Sequence, residues 1–372
     1  MCVAVIVMLM MTGVAVSAAT EIDSMTVKPS PPAKRNTVFR RVGRLFTSVF
    51  REFNHVDTNY IERQHYNYAV MLQHTTTYET YQLKSRSGQS VKFAPEPSNR
   101  VGPYFGWRWI FMGYTLDVNH LSNGHRKNEY DVSLYSSLFG IDLYYRKTGN
   151  DYHITETDLG DAYDKNILNG VDFGGLEVSI KGFDLYYIFN HRKFSYPAAF
   201  SQSTCQRRSC GSFLAGIGYT KHVISLDYEQ LAEVVSNGLA EAAGETSSDF
   251  ELDEGFDFGK IRYTSFTLSG GYAYNWVFAR NWLFASSLSA GLAYKTSSGS
   301  LKTESRELTG DFSFKNFGID GTGRFGLVWN NTRCFAGASA VFHTYNYKKS
   351  RFSTSSMFGN INVYVGLNFG KR

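Results

Sequence analysis

The sequence predicts an all-β fold, an antiparallel transmembrane β-barrel of about twelve strands preceded by an N-terminal amphipathic helix. The best indication is Trp282–Lys295, in which even positions are mostly large and apolar and odd positions mostly small or polar. Because a strand turns its side chain over at every residue, this pattern makes one apolar and one polar face. The segment is longer than most soluble strands, and similar segments recur. The faces therefore suit lipid outside and water inside.

Composition agrees with this class. Aromatic residues make up 16% of the 372 residues, which is high for a soluble enzyme. Apart from the N-terminus, no apolar run reaches the roughly 18 residues of a spanning helix, which argues against a helical membrane protein. The net charge of +5 is small and dispersed, so no nucleic-acid partner is expected.

The N-terminal region predicts export. Residues 1–19 resemble a signal peptide, with an apolar core followed by small residues, and this predicts the bacterial outer membrane as the location. Residues 20–36 form a polar, proline-containing linker. Residues 37–54 have helical spacing, with apolar side chains on one face and several arginines on the rest. This helix either packs at the barrel mouth or in the lumen, or lies on the periplasmic leaflet.

Residues 66–372 form the predicted barrel. In the last strand Val363, Val365 and Leu367 alternate with Asn362 and Tyr364. The alternation predicts strands near residues 66–83, 98–109, 110–120, 128–138, 139–148, 177–190, 211–228, 260–278, 282–295, 311–329, 333–347 and 357–369.

Short and long connections alternate along the chain. Ala279–Asn281 and Asn330–Asn331 are tight turns, whereas Glu229–Gly259 is a long acidic loop. Outer-membrane barrels have short periplasmic turns and longer extracellular loops. The tight turns are therefore predicted in the periplasm and the long loop outside.

Two neighbouring segments carry a family resemblance. Tyr187–Phe200 (YIFNHRKFSYPAAF) is followed by Gln206–Gly216 (QRRSCGSFLAG). Together with Tyr130–Tyr135 and Asp142–Tyr145, they resemble an uncharacterised Bacteroidetes family, domain of unknown function number forty-four twenty-one. The resemblance covers most of the mature chain and implies an outer-membrane barrel of unknown activity.

Cys205 and Cys210 either form a disulfide in the oxidising periplasm or remain two free thiols. In the family pattern a small residue is expected where Cys210 stands, and this departure favours pairing. The chain has no CxxC motif, and no metal site or cofactor is expected.

The segment His120–Gly124 (HLSNG) looks like the His-x-Ser-Asn-Gly motif of outer-membrane phospholipase A and lipid A deacylases. His120 and Ser122 share a strand face, so the imidazole could take the hydroxyl proton. Those enzymes also need a polar group to orient the histidine, and Leu134 has the corresponding spacing. The alternative is a polar loop, because Asn-Gly is a common turn dipeptide. We favour the loop.

Five charged residues fall on the polar phases of their strands and are predicted to line the lumen. Either they pair and brace the barrel, or they line a path for a small solute, or two carboxylates act as an acid/base pair. They are Asp142, Arg146, Asp184, Asp320 and Arg324.

Two basic clusters lie at predicted extracellular tips, Arg126-Lys127 and Lys348-Lys349-Arg351. Lipopolysaccharide phosphates would be their partners, the alternative being ordinary solvated loop charge. Other expected partners are outer-membrane lipid and, during insertion, the barrel-assembly machinery.

Together these observations favour a non-enzymatic barrel that is structural or a narrow solute channel or binding barrel. The alternatives are an outer-leaflet lipid hydrolase using His120 and Ser122, and a scaffold that binds another envelope protein.

Overall fold

A computed structural model describes residues 56–107, 110–113, 116–117, 128–148, 151–243, 250–300, 316–348 and 352–371. The predicted signal peptide, linker and amphipathic helix lie outside these described residues. Within them no helix has the length and apolar character needed to cross a membrane.

The described chain is mostly β-strand. The strands are β1 Ile61–Arg63, β2 Tyr66–Ser85, β3 Ser90–Pro95, β4 Ser98–Trp107, β5 Ile110–Gly113, β6 Leu116–Asp117, β7 Asn128–Tyr135, β8 Phe139–Thr148, β9 Tyr152–Asp158, β10 Asp172–Phe173, β11 Leu176–Ile188, β12 Thr204–Gln206, β13 Cys210–Leu226, β14 Lys260–Ala279, β15 Trp282–Ser300, β16 Phe317–Asn330, β17 Cys334–Lys348 and β18 Phe352–Lys371. Two α-helices are present in the same residues, α1 Pro197–Phe200 and α2 Tyr228–Ala243.

Sixteen of these strands form one antiparallel sheet. Its main path is β7-β8-β11-β13-β14-β15-β16-β17-β18-β2-β4, with β5 and β6 on the free edge of β4. The first long strand, β2, thus pairs along its length with the last strand, β18. The antiparallel all-β prediction is confirmed, whereas the count of twelve and full closure stay predictions. The strands β1 and β12 form a separate pair.

Contacts across the inner face show how the sheet curves. Tyr144 on β8 and Tyr345 on β17 join their hydroxyls at 2.6 Å, and Arg146 on β8 donates to Glu79 on β2. These strands are not neighbours in the sheet, so the sheet wraps around its inner face. The outer face carries exposed apolar side chains, among them Phe284, Leu288, Leu292, Val363, Val365 and Leu367, as the alternation predicts.

The two ends of the long strands differ. We call the end with the connections at 279–281 and 330–333 the turn end. In these connections Asn281 and Thr332 have positive φ angles of 66° and 76°. Thr332 donates its N–H to Asn330 Oδ1 at 2.8 Å, and the Asn368 amide donates to its carbonyl at 2.8 Å. These two bonds stabilise Thr332 in a left-handed conformation that a β-branched residue rarely adopts.

The opposite end, which we call the loop end, is more ordered than the sequence suggests. The long connection predicted as an acidic loop over Glu229–Gly259 contains α2, whose residues Leu231 and Val235 are fully buried. The connection at 86–97 contains β3, and the described part of the connection between β8 and β11 contains β9 and β10. All three strands join the sheet. The regularity arises because these segments bury apolar side chains together.

Candidate functional site

The interior is the region where chemistry-bearing side chains converge, and it has three layers. We call residues 189–209 the inner segment; it fills the turn end. Above it lies a layer of buried charges, and above that an apolar and aromatic cluster at the loop end. The charged layer comes from inward positions of the strands. The loop-end cluster combines inward strand positions with side chains from α2 and the connections, and the inner segment is inserted between β11 and β13.

The inner segment packs against the inward face of four strands. The Asn275 amide on β14 donates to the Ser195 carbonyl at 2.9 Å, and the Tyr196 and Ser287 hydroxyls lie 2.6 Å apart. On β16 Gly326 lies against α1, where a Cβ would be in ordinary van der Waals contact with Ala199 at 3.6 Å. Ala198, Ala199, Phe194 and Tyr196 are almost completely buried. The segment therefore occupies the space that a channel would leave open.

Tyr364 on β18 locks the other side of α1. Its hydroxyl donates to the Ala199 carbonyl at 3.3 Å and accepts from the Gln202 amide at 2.6 Å. Gln202 itself has a φ of 52° and donates to the same Ala199 carbonyl at 3.1 Å. The Ala199 carbonyl therefore accepts two hydrogen bonds, and these hold the end of α1 against β18.

A small sheet anchors the end of the inner segment. Strand β12 pairs with β1, with Cys205 opposite Glu62. The Glu62 carboxylate accepts from Arg207 and contacts His65 at 2.9 Å. Although partial burial alone would raise the Glu62 pKa, hydrogen bonds and charges from His65 and Arg207 lower it overall. Arg207 also donates to Asn281 Oδ1 at 2.9 Å, which ties the segment to the turn after β14.

The charged layer consists of ion pairs that span the interior. Arg146 donates to Glu79 at 3.0 Å and to Asp131 at 2.6 Å. Arg324 on β16 pairs with Asp142 on β8, which also accepts from Ser133 at 2.6 Å. Charges removed from water need such partners, since an unpaired buried charge is costly.

A second pair lies nearer the loop end. Lys295 on β15 donates to Asp320 and to the Asn346 carbonyl, the latter at 2.7 Å. His343 Nδ1 lies 3.8 Å from Asp184 Oδ2, which is beyond hydrogen-bonding distance. Two arginines also stack on rings, Arg146 over Phe358 at 4.8 Å and Arg324 over Tyr186 at 4.7 Å.

The loop-end core closes the interior above these charges. Phe93, Ile154, Leu231, Val235 and Phe256 are fully buried in it. Aromatic rings continue the packing downward, with His222, Tyr263 and Tyr347 stacked at centroid distances of 4.4 and 4.5 Å. Both ring nitrogens of His222 lack a hydrogen-bond partner among the described residues.

The space beside the charged layer is small, and a larger pocket lies nearer the loop end. A cavity of about 30 Å³ lies beside Asp184, Asp320 and Arg324, which is enough for ordered water. A pocket of about 360 Å³ is lined by Lys295 and Asn346, among others. A pocket of that volume is large enough for a small molecule.

The five residues predicted from the sequence to line the lumen all belong to the charged layer. Asp142, Arg146, Asp320 and Arg324 are buried and paired, and Asp184 is partly buried. Glu79, Lys295 and His343 were not predicted from the sequence, although each lies at an inward position of its strand. The inner segment was not predicted either, and the family resemblance is its only signal in the sequence.

Six other predicted site residues lie outside the described residues: His120, Ser122, Arg126, Lys127, Lys349 and Arg351. Lys348 is described and exposed at the end of β17. Leu134 pairs with Ile141, and Asp131 contacts Arg146. The absence of fatty-acid release from phospholipid or lipid A by the purified protein therefore stays a prediction.

Cys205, Cys210 and Cys334 are free thiols in this structure. Burial raises the pKa of Cys205 to about 12, and Cys210 accepts from the Asn190 amide at 3.1 Å. The Cys205–Cys210 disulfide stays a prediction. The described residues contain no group of His, Cys, Asp and Glu arranged to hold a metal ion.

Comparisons with known proteins extend this description. A family model described as "Domain of unknown function (DUF4421)" matches residues 55–369. No curated protein matches the chain. The outer membrane protease OmpT from Escherichia coli is similar at 8% identity and a TM-score of 0.33, covering 82% of this chain and 97% of that protein.

Two further solved structures are similar at the same level. The translocator domain of autotransporter NalP from Neisseria meningitidis has 9% identity and a TM-score of 0.31, covering 89% of this chain and 96% of that one. The Pseudomonas putida toluene transporter TodX has 9% identity and a TM-score of 0.23, covering 82% and 91%. Similarity this low says nothing about activity.

Proposed function

Since the chain belongs to the DUF4421 family, whose activity is unknown, we propose that it is an outer-membrane β-barrel with a filled interior, acting as a structural or partner-binding scaffold and not as an open channel. The observation that carries this proposal is the inner segment. Its backbone carbonyls accept hydrogen bonds from Asn275 and Tyr364, so strands far apart in the sheet hold it across the space a solute would need.

The outer face supports the membrane location. Side chains such as Leu268, Leu288, Ile319 and Val365 are more than half exposed, and a soluble protein seldom exposes so continuous an apolar surface. The short turns would face the periplasm and the loop end the exterior. Lipopolysaccharide and the assembly machinery would be the partners of such a barrel.

A planar-bilayer recording of the purified full chain tests the closed interior. We expect no steady single-channel current from the natural protein in any salt. A variant in which residues 191–208 are replaced by a short Gly-Ser turn should conduct, because the turn end would then be unfilled. A matched variant with the same linker inserted at the Asn331 turn should stay silent.

Folding of each variant is checked before recording, by the near-ultraviolet signal of its aromatic residues and by protease resistance in detergent. Regular, ion-selective openings of the natural protein would contradict the proposal and favour the narrow-channel alternative. A soluble, detergent-free folded monomer would contradict the membrane location itself.

A further inference from the structure

The outer face carries a continuous row of large side chains near the loop end. Pairing places Phe183 opposite Tyr219, Tyr219 opposite Phe266, Phe266 opposite Tyr294, and Tyr294 opposite Phe317. We call these five residues the aromatic row. Aromatic side chains of this kind mark the boundary between the apolar core of a membrane and its headgroups. The row thus indicates the level on the outer face at which the apolar core of a membrane would end.

Positively charged side chains lie immediately beyond this row. Lys181 on β11 lies two residues from Phe183 toward the loop end, and Lys221 on β13 lies two residues from Tyr219 in the same direction. Lys147 on β8 and Arg262 on β14 lie one two-residue step farther toward the loop end. A step of two residues keeps the same face of a strand, so all four point outward with the aromatic row. Lys147, Lys181 and Arg262 are exposed and Lys221 is half-buried. We call these four residues the basic belt.

The pairing within the basic belt is unfavourable unless an anion is present. Lys181 and Lys221 lie directly opposite each other on β11 and β13, which brings their Cβ atoms to about 4.5–5.5 Å, and like charges in that position destabilise a sheet. Among the described residues, no acidic side chain forms an ion pair with any member of the belt. On the same face of β11 the next acidic residue toward the loop end is Glu177, about 13 Å along the strand from Lys181.

The other charges at the loop end argue against a chance clustering of the belt residues. The loop end is otherwise rich in carboxylates: α2 carries Glu229, Glu233 and Glu241 and no lysine or arginine. Two other lysines at this end pair with carboxylates, Lys92 with Glu156 and Lys165 with Asp158. The basic belt instead lies on the outer wall, at the depth of the headgroups. Lysine and arginine at that depth are the usual partners of lipid phosphate.

We infer that the basic belt binds the phosphate groups of a phosphorylated glycolipid in the outer leaflet, with Lys181 and Lys221 sharing one phosphate. This rests on the proposed membrane location, and it moves the lipopolysaccharide contact from the loop tips to the wall of the sheet. Acyl chains of the same lipid would lie along the apolar surface below the aromatic row.

The test is lipid retention by the full chain in nanodiscs of phosphatidylcholine containing a fixed fraction of lipid A. After exchange into lipid-A-free discs, lipid A that remains with the protein is counted by mass spectrometry. The double variant Lys181→Gln/Lys221→Gln should retain about tenfold less, since charge-assisted contacts would be lost. The matched control, Arg280→Gln/Lys371→Gln, removes two exposed charges at the turn end and should retain the natural amount.

Three further outcomes bear on the inference. Chemically dephosphorylated lipid A should be retained no better by the natural protein than by the double variant; equal retention of both lipids by the natural protein would overturn the inference. Lysine-dependent stabilisation by inorganic phosphate in detergent, equal to that by lipid A, would overturn the lipid as the source. Failure of the natural protein to enter the nanodiscs would instead refute the membrane location.

Discussion

The two ends of the interior are filled by different chemistry. At the loop end, large apolar side chains from many strands meet α2 and pack into one buried cluster. At the turn end, a single chain segment is held by directional bonds from Asn275, Ser287 and Tyr364. Apolar packing accepts many arrangements of similar volume, whereas hydrogen bonds to backbone carbonyls fix one position. The inner segment therefore has one fixed position, whereas the loop-end core should tolerate more exchange among side chains of similar volume.

The charged layer between the two regions gives the largest expected effect. In Arg324→Met the Asp142 carboxylate would remain buried with only Ser133 as a partner, which should cost about 3–5 kcal/mol of unfolding free energy. The double variant Arg324→Met/Asp142→Leu should recover most of that loss, because no unpaired charge remains. Urea unfolding in detergent, followed by tryptophan fluorescence, measures both. A loss below about 1 kcal/mol in the single variant would show that water reaches Asp142.

A truncation in the loop-end core should cost almost as much. Phe93 is fully buried, and its ring centroid lies 5.3 Å from that of Phe173. Phe93→Ala should therefore lower the free energy of unfolding by about 3–5 kcal/mol, through lost burial and the cavity left behind. Phe189→Ala is the matched control, since Phe189 is 57% exposed at the other end. Equal losses from the two variants in the same urea experiment would mean that the loop end is not a packed core.

Much of the sheet could be predicted from the sequence because one face of each strand must differ from the other. Phe284 and Leu288 are exposed and Ser287 is buried, as the alternation in their strand predicts. The same rule places Lys295 on the inward face of its strand, although it was not predicted to line the lumen. The structure confirms the antiparallel fold, and the family-model match confirms the family.

The inner segment could not be predicted in this way. Its fold depends on partners far away in sequence. Tyr364 lies 165 residues from Ala199, and the local alternation of apolar and polar residues does not predict that contact. The helix α2 was missed for a related reason. Its acidic surface resembles an exposed loop, and only the burial of Leu231 and Val235 against other connections makes it regular.

A third prediction concerns a single hydroxyl at the turn end. Tyr364→Phe removes the donor to Ala199 and the acceptor for Gln202, which should cost about 1–2 kcal/mol because both partners are buried. The inner segment should also open more often, so trypsin should cleave faster after Arg207 or Arg208. Tyr272→Phe, which removes a hydroxyl from the outer face, should change neither quantity. Unchanged cleavage in Tyr364→Phe would show that packing of α1, and not this bond, holds the segment.

The smallest effect should appear at the anchor of the inner segment and depend on pH. The pKa of Glu62 is below its ordinary value of 4.5, because bonds and charges from His65 and Arg207 outweigh its partial burial. A carboxyl whose pKa is lowered by folding stabilises the folded state above its unfolded pKa, and that contribution is lost as pH falls through the folded pKa. The natural protein should therefore be more stable than Glu62→Gln at pH 7, and the difference should shrink below about pH 4.5. Glu177→Gln, which removes an exposed carboxylate on β11, is the control. Urea titrations at several pH values measure the difference, and a gap that stays constant down to pH 3 would show that the Arg207 contact does not depend on the Glu62 charge.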